Sequence, residues 1–194
     1  YDAAQTTAEN ARHWAMADAL SADGAASADV RKKLRERARY EVANHSYAKG
    51  IVLTIANDCI GTGPRLQLLT DDASANHDVE AAVAEWAKAV NLAEKLRTMR
   101  LAKATDGEAF AVMTANPNVD SPVMLDVHLV EADRVASPVM NILPTISDID
   151  GITLDGWGNP QTYTIMRHHP GDMTAGKTQE ELGRATCRDR VSLW

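Results

Sequence analysis

Apolar positions recur with a helical period through the first hundred or so residues and alternate in the strand manner after that. Val30, Leu34, Ala38 and Val42 fall on one helical stripe, surrounded by Arg31, Lys32, Lys33, Arg35, Arg37 and Arg39. Ser27 stands where an N-cap is needed, with Asp29 in the first turn. After a short break at Asn44-His45-Ser46, Ser46 is expected to cap a second helix. Its wide apolar face reads Ala48, Ile51, Val52, Ile55 and Cys59. Gly61-Thr62-Gly63-Pro64 ends that helix, because Gly supplies a positive φ and Pro cannot continue the ladder. With only a turn between them, the two helices are expected to fold back on each other. Residues 34–67 then become the stretch around which the chain is organised.

An Ala-rich helix over residues 6–20, carrying Trp14 and Met16, is predicted upstream, with a stop at Ser21-Ala22-Asp23-Gly24. Downstream, residues 65–69 alternate as a strand, 71–75 form a loop, and Asn76 caps a helix with core positions Val79, Val83, Trp86 and Val90. Leu92, Leu96 and Met99 continue the helical period after a break near Asn91. Asp106-Gly107 is a turn signal before a strand over 108–114, and Asn116-Pro117-Asn118 is another before a strand over 123–130. Pro138 and Pro144 mark irregular chain, and a hairpin of 152–154 with 161–166 is predicted over 155–159. Helices first and strands afterwards give an α+β class. N-terminal helices pack on a mainly antiparallel sheet, followed by an irregular, polar C-terminal tail.

At 194 residues and 45% hydrophobic content, the chain can bury the core of one domain, or of one and a half. A net charge of −7 excludes a basic surface spread over the whole molecule and leaves room only for a local one. Cys59 and Cys187 lie far apart with no metal-ligand spacing, which suits a reducing compartment and argues against a disulfide framework or a zinc site. No apolar run approaches the ~18 residues of a membrane span, and no secretory signal is present. The chain begins at Tyr1 rather than Met, so it is expected to be a fragment of something longer.

Candidate chemistry is sparse. Gly171-Asp172-Met173-Thr174-Ala175-Gly176-Lys177-Thr178 satisfies the GxxxxGK[ST] phosphate-loop pattern, preceded by a predicted strand and followed by a possible helix over 179–185. In that reading Lys177 reaches the terminal phosphates and Thr178 holds Mg²⁺. The wider context opposes it, since such a loop opens a parallel sheet of ~30-residue crossover units and only residues 179–194 remain. The basic run 31–39 could touch phosphate, but in an acidic chain a solvated or subunit-facing helix is the better reading. Asp148-Ile149-Asp150-Gly151 lacks the Gly and Glu positions of a calcium loop and reads as a turn. His168 and His169 are adjacent and so point to opposite faces of a strand. His128 reads as structural and Cys59 as a small hydrophobe. There is no nucleophile elbow. No catalytic, cofactor-binding or metal-binding residue is therefore expected, and no cofactor.

Several stretches occur in a telling order: Leu34-Arg35-Glu36-Arg37-Ala38-Arg39, Asn44-His45-Ser46-Tyr47-Ala48, and Ile60-Gly61-Thr62-Gly63-Pro64-Arg65-Leu66-Gln67. They continue with Asp106-Gly107-Glu108-Ala109-Phe110, Val130-Glu131-Ala132-Asp133-Arg134-Val135, Asp150 to Asp155 with Gly158-Asn159-Pro160, and His169-Pro170-Gly171-Asp172. Over residues 6–172 this ordered set resembles the portal proteins of tailed bacteriophages, lambda-like group. The resemblance implies a structural subunit, not an enzyme. It implies a self-assembled ring of about twelve copies at the capsid vertex of the virion, built in the host cytoplasm. Double-stranded DNA would pass through that ring. The implied partners are the terminase large subunit, the head-tail connector and the capsid proteins, with no membrane. It also implies an N-terminal helical arm over 1–26, a wing-like α+β domain over 27–172 and a divergent tail over 173–194. That tail lacks the stem and clip helices, so the chain is expected to be truncated or frameshifted after Asp172. In a closed ring, residues 31–39 and the acidic stretches 71–85 and 148–155 would supply opposite signs to two faces. Charge reversal at Arg35 and Arg37 would then weaken assembly without unfolding the monomer. A nucleotide-binding protein using Gly171 to Thr178 is the alternative.

Overall fold

The computed structural model describes every residue except 1–4, 6, 18, 137–147, 173–180, 187–190 and 194, with backbone alone at 22, 23, 148, 181–186 and 191–193. Its described helices are α1 (Ala22–Ala25), α2 (Ala28–Asn44), α3 (Ser46–Ile60), α4 (Ala73–Ala89) and α5 (Leu92–Asp106). The strands are β1 (Phe110–Ala115), β2 (Leu125–Val130), β3 (Asp148–Ile149), β4 (Ile152–Leu154), β5 (Pro160–Met166), β6 (Glu181–Thr186) and β7 (Val191–Leu193). The chain divides into two compact units, residues 1–33 and 34–194.

In the first unit no helix forms among the described residues of 6–20, and residues 8–13 run as turns. Thr7 and Asn10 bond each other reciprocally, Thr7 N donating to Asn10 Oδ1 at 2.7 Å and Asn10 N to Thr7 Oγ1 at 3.3 Å. That reciprocal pair is a helix-starting box, and Ala11 N donates to Thr7 O at 2.9 Å, so the helix fails for want of packing rather than of a cap. A short segment whose Trp14 and Met16 stay exposed has no buried face to offset the cost of nucleation. At α2, Ser27 O accepts the first helical bond from Arg31 N at 2.9 Å, as its place before the helix anticipates.

In the second unit the predicted hairpin of α2 with α3 is overturned. A single extended residue, His45 (φ −115, ψ 116), separates them and takes the N-cap position expected of Ser46. Antiparallel helix pairs need about two to five connecting residues, so the chain bends there without reversing. α3 packs instead against α5, burying Val52 and Ala56 and leaving Ile51 and Cys59 exposed. Gly61 ends α3 at φ 53, as predicted. A Cβ on Gly63 (φ 94) would stand 2.9 Å from Ala93 Cβ, so the loop lies directly on the start of α5.

Residues 65–69 find no strand partner among the described residues. Leu68 N donates to Glu80 Oε1 of α4 at 2.7 Å instead. α4 starts earlier than predicted because Asp72, not Asn76, is its cap and accepts from Ser74 N and Ala75 N, both at 3.0 Å. Asn76 turns back to donate to Thr70 O at 3.0 Å. Val79 is exposed and Val90 buried. Asn91 is left-handed (φ 53), giving the break expected between α4 and α5. Trp86 Nε1 donates to Leu125 O at 2.8 Å and ties α4 to the sheet.

β1 and β2 form the expected antiparallel hairpin, from Phe110↔Val130 to Ala115↔Leu125, and β7 adds along the other side of β1. The second sheet has the order β3-β4-β5-β6, all neighbours antiparallel. Its first turn is Asp150-Gly151 with φ 53 and φ 83, the two-residue turn that suits a hairpin. A Cβ on Gly151 would lie 2.6 Å from the Ala136 carbonyl carbon, so only glycine fits. Phe110, Val130, Ala132, Val135, Tyr163 and Ile165 join the two sheets in one core. Met99, Ala109 and Ala111 form a second one under α5.

The class is α+β, and the tail departs from its irregular reading by supplying β6 and β7. The possible helix over 179–185 is replaced by β6, whose backbone partner β5 was already in place to extend. That also removes the context of the phosphate-loop reading, which requires a helix after the loop and a parallel sheet before it. Gly171 and Asp172 sit in a turn after β5. Met173 to Thr178, including Lys177, lie outside the described residues, as do Pro138 and Pro144.

Candidate functional site

The stripe predicted to bury α2 is buried only in part: Ala38 and Val42 are half-buried, but Val30 and Leu34 are exposed. Leu34 is 59% exposed while Arg35 is only 7% exposed. Arg35 and Arg39, one helical turn apart, point inward together, toward carboxylates gathered from three places in the chain. Asp106 is the last residue of α5, Glu108 follows the left-handed Gly107 (φ 86), and Asp133 lies in a 3-10 turn, Ala132–Arg134, just after β2.

Arg39 grips Asp106 with both arms, Nε to Oδ1 and Nη2 to Oδ2, each at 2.8 Å. Its Nη1 donates to Asp133 Oδ2 at 2.6 Å. Arg35 Nη1 donates to Glu108 Oε1 at 2.8 Å. Arg35 Nε stands 3.1 Å from Asp133 Oδ1, an ionic contact lying off the hydrogen-bond direction. His169 completes the set. Its Nδ1 accepts from Gly171 N at 2.9 Å, which places the proton of the neutral ring on Nε2. That Nε2 meets Asp133 Oδ2 at 3.2 Å. Arg134 Nε donates to Met166 O at 2.9 Å and fastens the same turn to the end of β5.

Burial pushes the Asp133 carboxyl toward the neutral form, but bonding to Arg39, its charge, the His169 bond and the Arg35 charge outweigh that. The group is held below the usual carboxylate range. Bonding to Asp106 drives Arg39 further above its already high value. On the other side of β2, Lys95 and then Asn116 hold Asp126 low in the same way. The Arg–Asp set is thus charged on both sides and largely consumed by internal pairing, which makes it a clamp rather than a reacting centre. A cleft of about 510 Å³ opens beside it, with Met99, Phe110 and Leu129 in its lining and Glu131, His169 and Asp172 at its polar side.

Of the residues singled out from the sequence, Arg35, Arg39 and His169 are brought together. Arg37 and Lys32 remain on the exposed side of α2, and His128, His168 and Cys59 are exposed. His169 lies beyond the end of β5 rather than within a strand. Among the described residues no three His, Cys, Asp or Glu side chains gather as a metal site. Asp106, Glu108 and Asp133 were missed as site residues. The available signal was that all three, with Arg35, Arg39 and His169, lie in the ordered stretches that carry the resemblance. Because the Arg35 charge is buried against Glu108 and Asp133, its reversal is expected to destabilise the fold as well as any assembly.

The polar centre of this α+β fold is spent on holding helices to sheets. The family model described as phage portal protein, lambda family, matches residues 9–191, and the chain belongs to that family. The match runs on past Asp172, so most of the tail expected to diverge lies within it. A comparison with curated proteins finds no match. Membership places the chain among structural phage proteins that assemble as oligomers in the capsid. Among the described residues no helix is long and apolar enough to cross a membrane.

Proposed function

We propose that the chain is a ring subunit at the unique vertex of the capsid, one of about twelve copies arranged head to tail. Double-stranded DNA passes through the ring during packaging and ejection. The ring docks the terminase large subunit first and the head-tail connector afterwards, beside the capsid proteins, and is assembled in the host cytoplasm. Within it, residues 1–26 act as an arm, 27–172 as the wing and 173–194 as a tail continuing from it. The observation that carries this reading is the family match over 9–191.

Sedimentation velocity and negative-stain microscopy of the intact gene product test the proposal. Closed rings of about twelve subunits are expected. A protein that stays monomeric across the accessible concentration range, while folded by circular dichroism, overturns it.

A further inference from the structure

β2 is the edge strand of its sheet, and half of that edge is open. Asn116 N donates to Met124 O at 2.7 Å, and in an antiparallel ladder such bonded pairs recur at every second residue. Asp126, His128 and Val130 therefore turn their N–H and C=O groups toward β1, while Leu125, Val127 and Leu129 turn theirs outward. Near its start the edge is closed. Trp86 Nε1 donates to Leu125 O at 2.8 Å, and Val127 N to Asp126 Oδ1 at 2.7 Å. Toward its end, Val127 O and both Leu129 N and Leu129 O take no partner among the described residues. The cleft of about 510 Å³ beside the Arg39 clamp opens at this end, lined by Leu129, Val130 and Glu131. There is room beside the edge for another backbone.

The chain also holds a strand sequence without an edge. Arg65-Leu66-Gln67-Leu68-Leu69 alternates as a strand does, yet it belongs to neither sheet. Leu68 N is engaged by Glu80 on α4, while Leu69 stays 89% exposed. An open edge and an unpaired strand sequence are the two halves of β-augmentation, in which main-chain bonds supply the affinity. Their ends match in charge as well. Arg65 and Glu131 are both exposed, and neither has an ionic partner among the described residues. An antiparallel pairing sets Arg65, at the start of the segment, against Glu131, just after the end of β2. In its own chain the segment is held on α4 and makes no bond to β2. We propose that residues 65–69 of one copy add, antiparallel, to the open edge of β2 in a second copy, a heterologous contact of the kind that closes a ring. This rests on the ring reading above and deepens it by naming the two surfaces that meet.

The test uses the intact protein. Proline removes one N–H, and successive N–H groups along a strand face opposite ways, so an edge strand tolerates Pro only where that group faces away. Neither Leu66 N nor Gln67 N bonds within the described residues of the chain. Of Leu66→Pro and Gln67→Pro, one should therefore raise the concentration needed for assembly about tenfold or more. The other should leave it near wild type, and both should keep the wild-type circular dichroism. Arg65→Glu and Glu131→Arg should each weaken assembly, and the two combined in one chain should restore it. Amide exchange should slow at 65–69 and at Leu129 on assembly, and at neither in the dilute monomer. Dimers or open chains that show these effects would sink the ring while keeping the contact. Closed rings indifferent to both prolines and both charge reversals overturn the contact and keep the ring. Equal losses from the two prolines, or protection of 65–69 already in the monomer, overturn the contact whatever the ring does.

Discussion

α2 and α3 are consecutive helices with His45 alone between them, yet opposite chemistries hold them to the body of the protein. α3 lies on α5 through Val52 and Ala56, the latter 0% exposed, a contact of small apolar groups without direction. α2 from Arg35 onward is held by guanidinium groups reaching three separate carboxylates. The apolar contact tolerates modest rearrangement, because burial free energy follows area. The ionic one does not, because Arg35, Asp106 and Asp133 are largely desolvated and survive only with their partners in place. A clamp of this kind is weak grounds for net stability, but it sets the rotation of α2 about its axis. It also turns Leu34 and Tyr40 outward, where both are exposed.

The sharpest way to break the comparison is Asp133→Ala, which deprives Arg35, Arg39 and His169 of a shared partner. A loss of about 3 kcal/mol is expected, seen as a fall of roughly 10 °C in melting temperature for a domain of this size. A fall smaller than that of the apolar variant that follows would reverse the ranking of the two contacts. That variant is Ala56→Leu, which forces extra methylenes between α3 and α5. It should cost about 2 kcal/mol and, unlike the Asp133 effect, should not change with pH.

Acid separates the contacts more gently. Because the folded-state value of Asp133 is depressed, the clamp's contribution is fully present above the ordinary carboxylate value of about 4. It is lost as pH falls through the lower folded value. Urea midpoints at neutral pH and near pH 3 should therefore differ by more in wild type than in Asp133→Ala. Equal shifts would show that the clamp does not titrate with folding. The smallest effect expected is that of Leu34→Ser, within about 0.5 kcal/mol because the side chain is in water. A clear destabilisation there would restore the apolar stripe of α2 as a buried face.

Much of the fold was legible because its determinants are local. The ends of α3 and α5 follow from Gly61 and Gly107, the break at Asn91 from a left-handed residue, and the three hairpins from the turns at Asn116-Pro117-Asn118, Asp150-Gly151 and Asp155-Gly156. The site was far less legible. Arg35 meets Glu108 across 73 positions, and Arg39 meets Asp106 across 67 and Asp133 across 94. Nothing in the spacing of residues 31–39 says which of six basic side chains will be desolvated. Alternation over 65–69 misled for a related reason: a strand exists only where another edge accepts it, and α4 supplied Glu80 instead. The tail erred the other way, since Glu181–Thr186 became a strand on meeting the open edge of β5.

By itself the chain determined where α3 and α5 end, its hairpin turns, its α+β class and its membership of the portal family. All of these rest on backbone sterics and on the order of short stretches along one dimension. The tertiary structure alone decided that arginines rather than leucine face inward on α2, that α3 lies against α5 and not against α2, and that the tail extends two sheets. Those choices depend on which distant groups arrive with a matching charge or an unpaired edge, and a buried charge or an open strand is stable only once that partner is there.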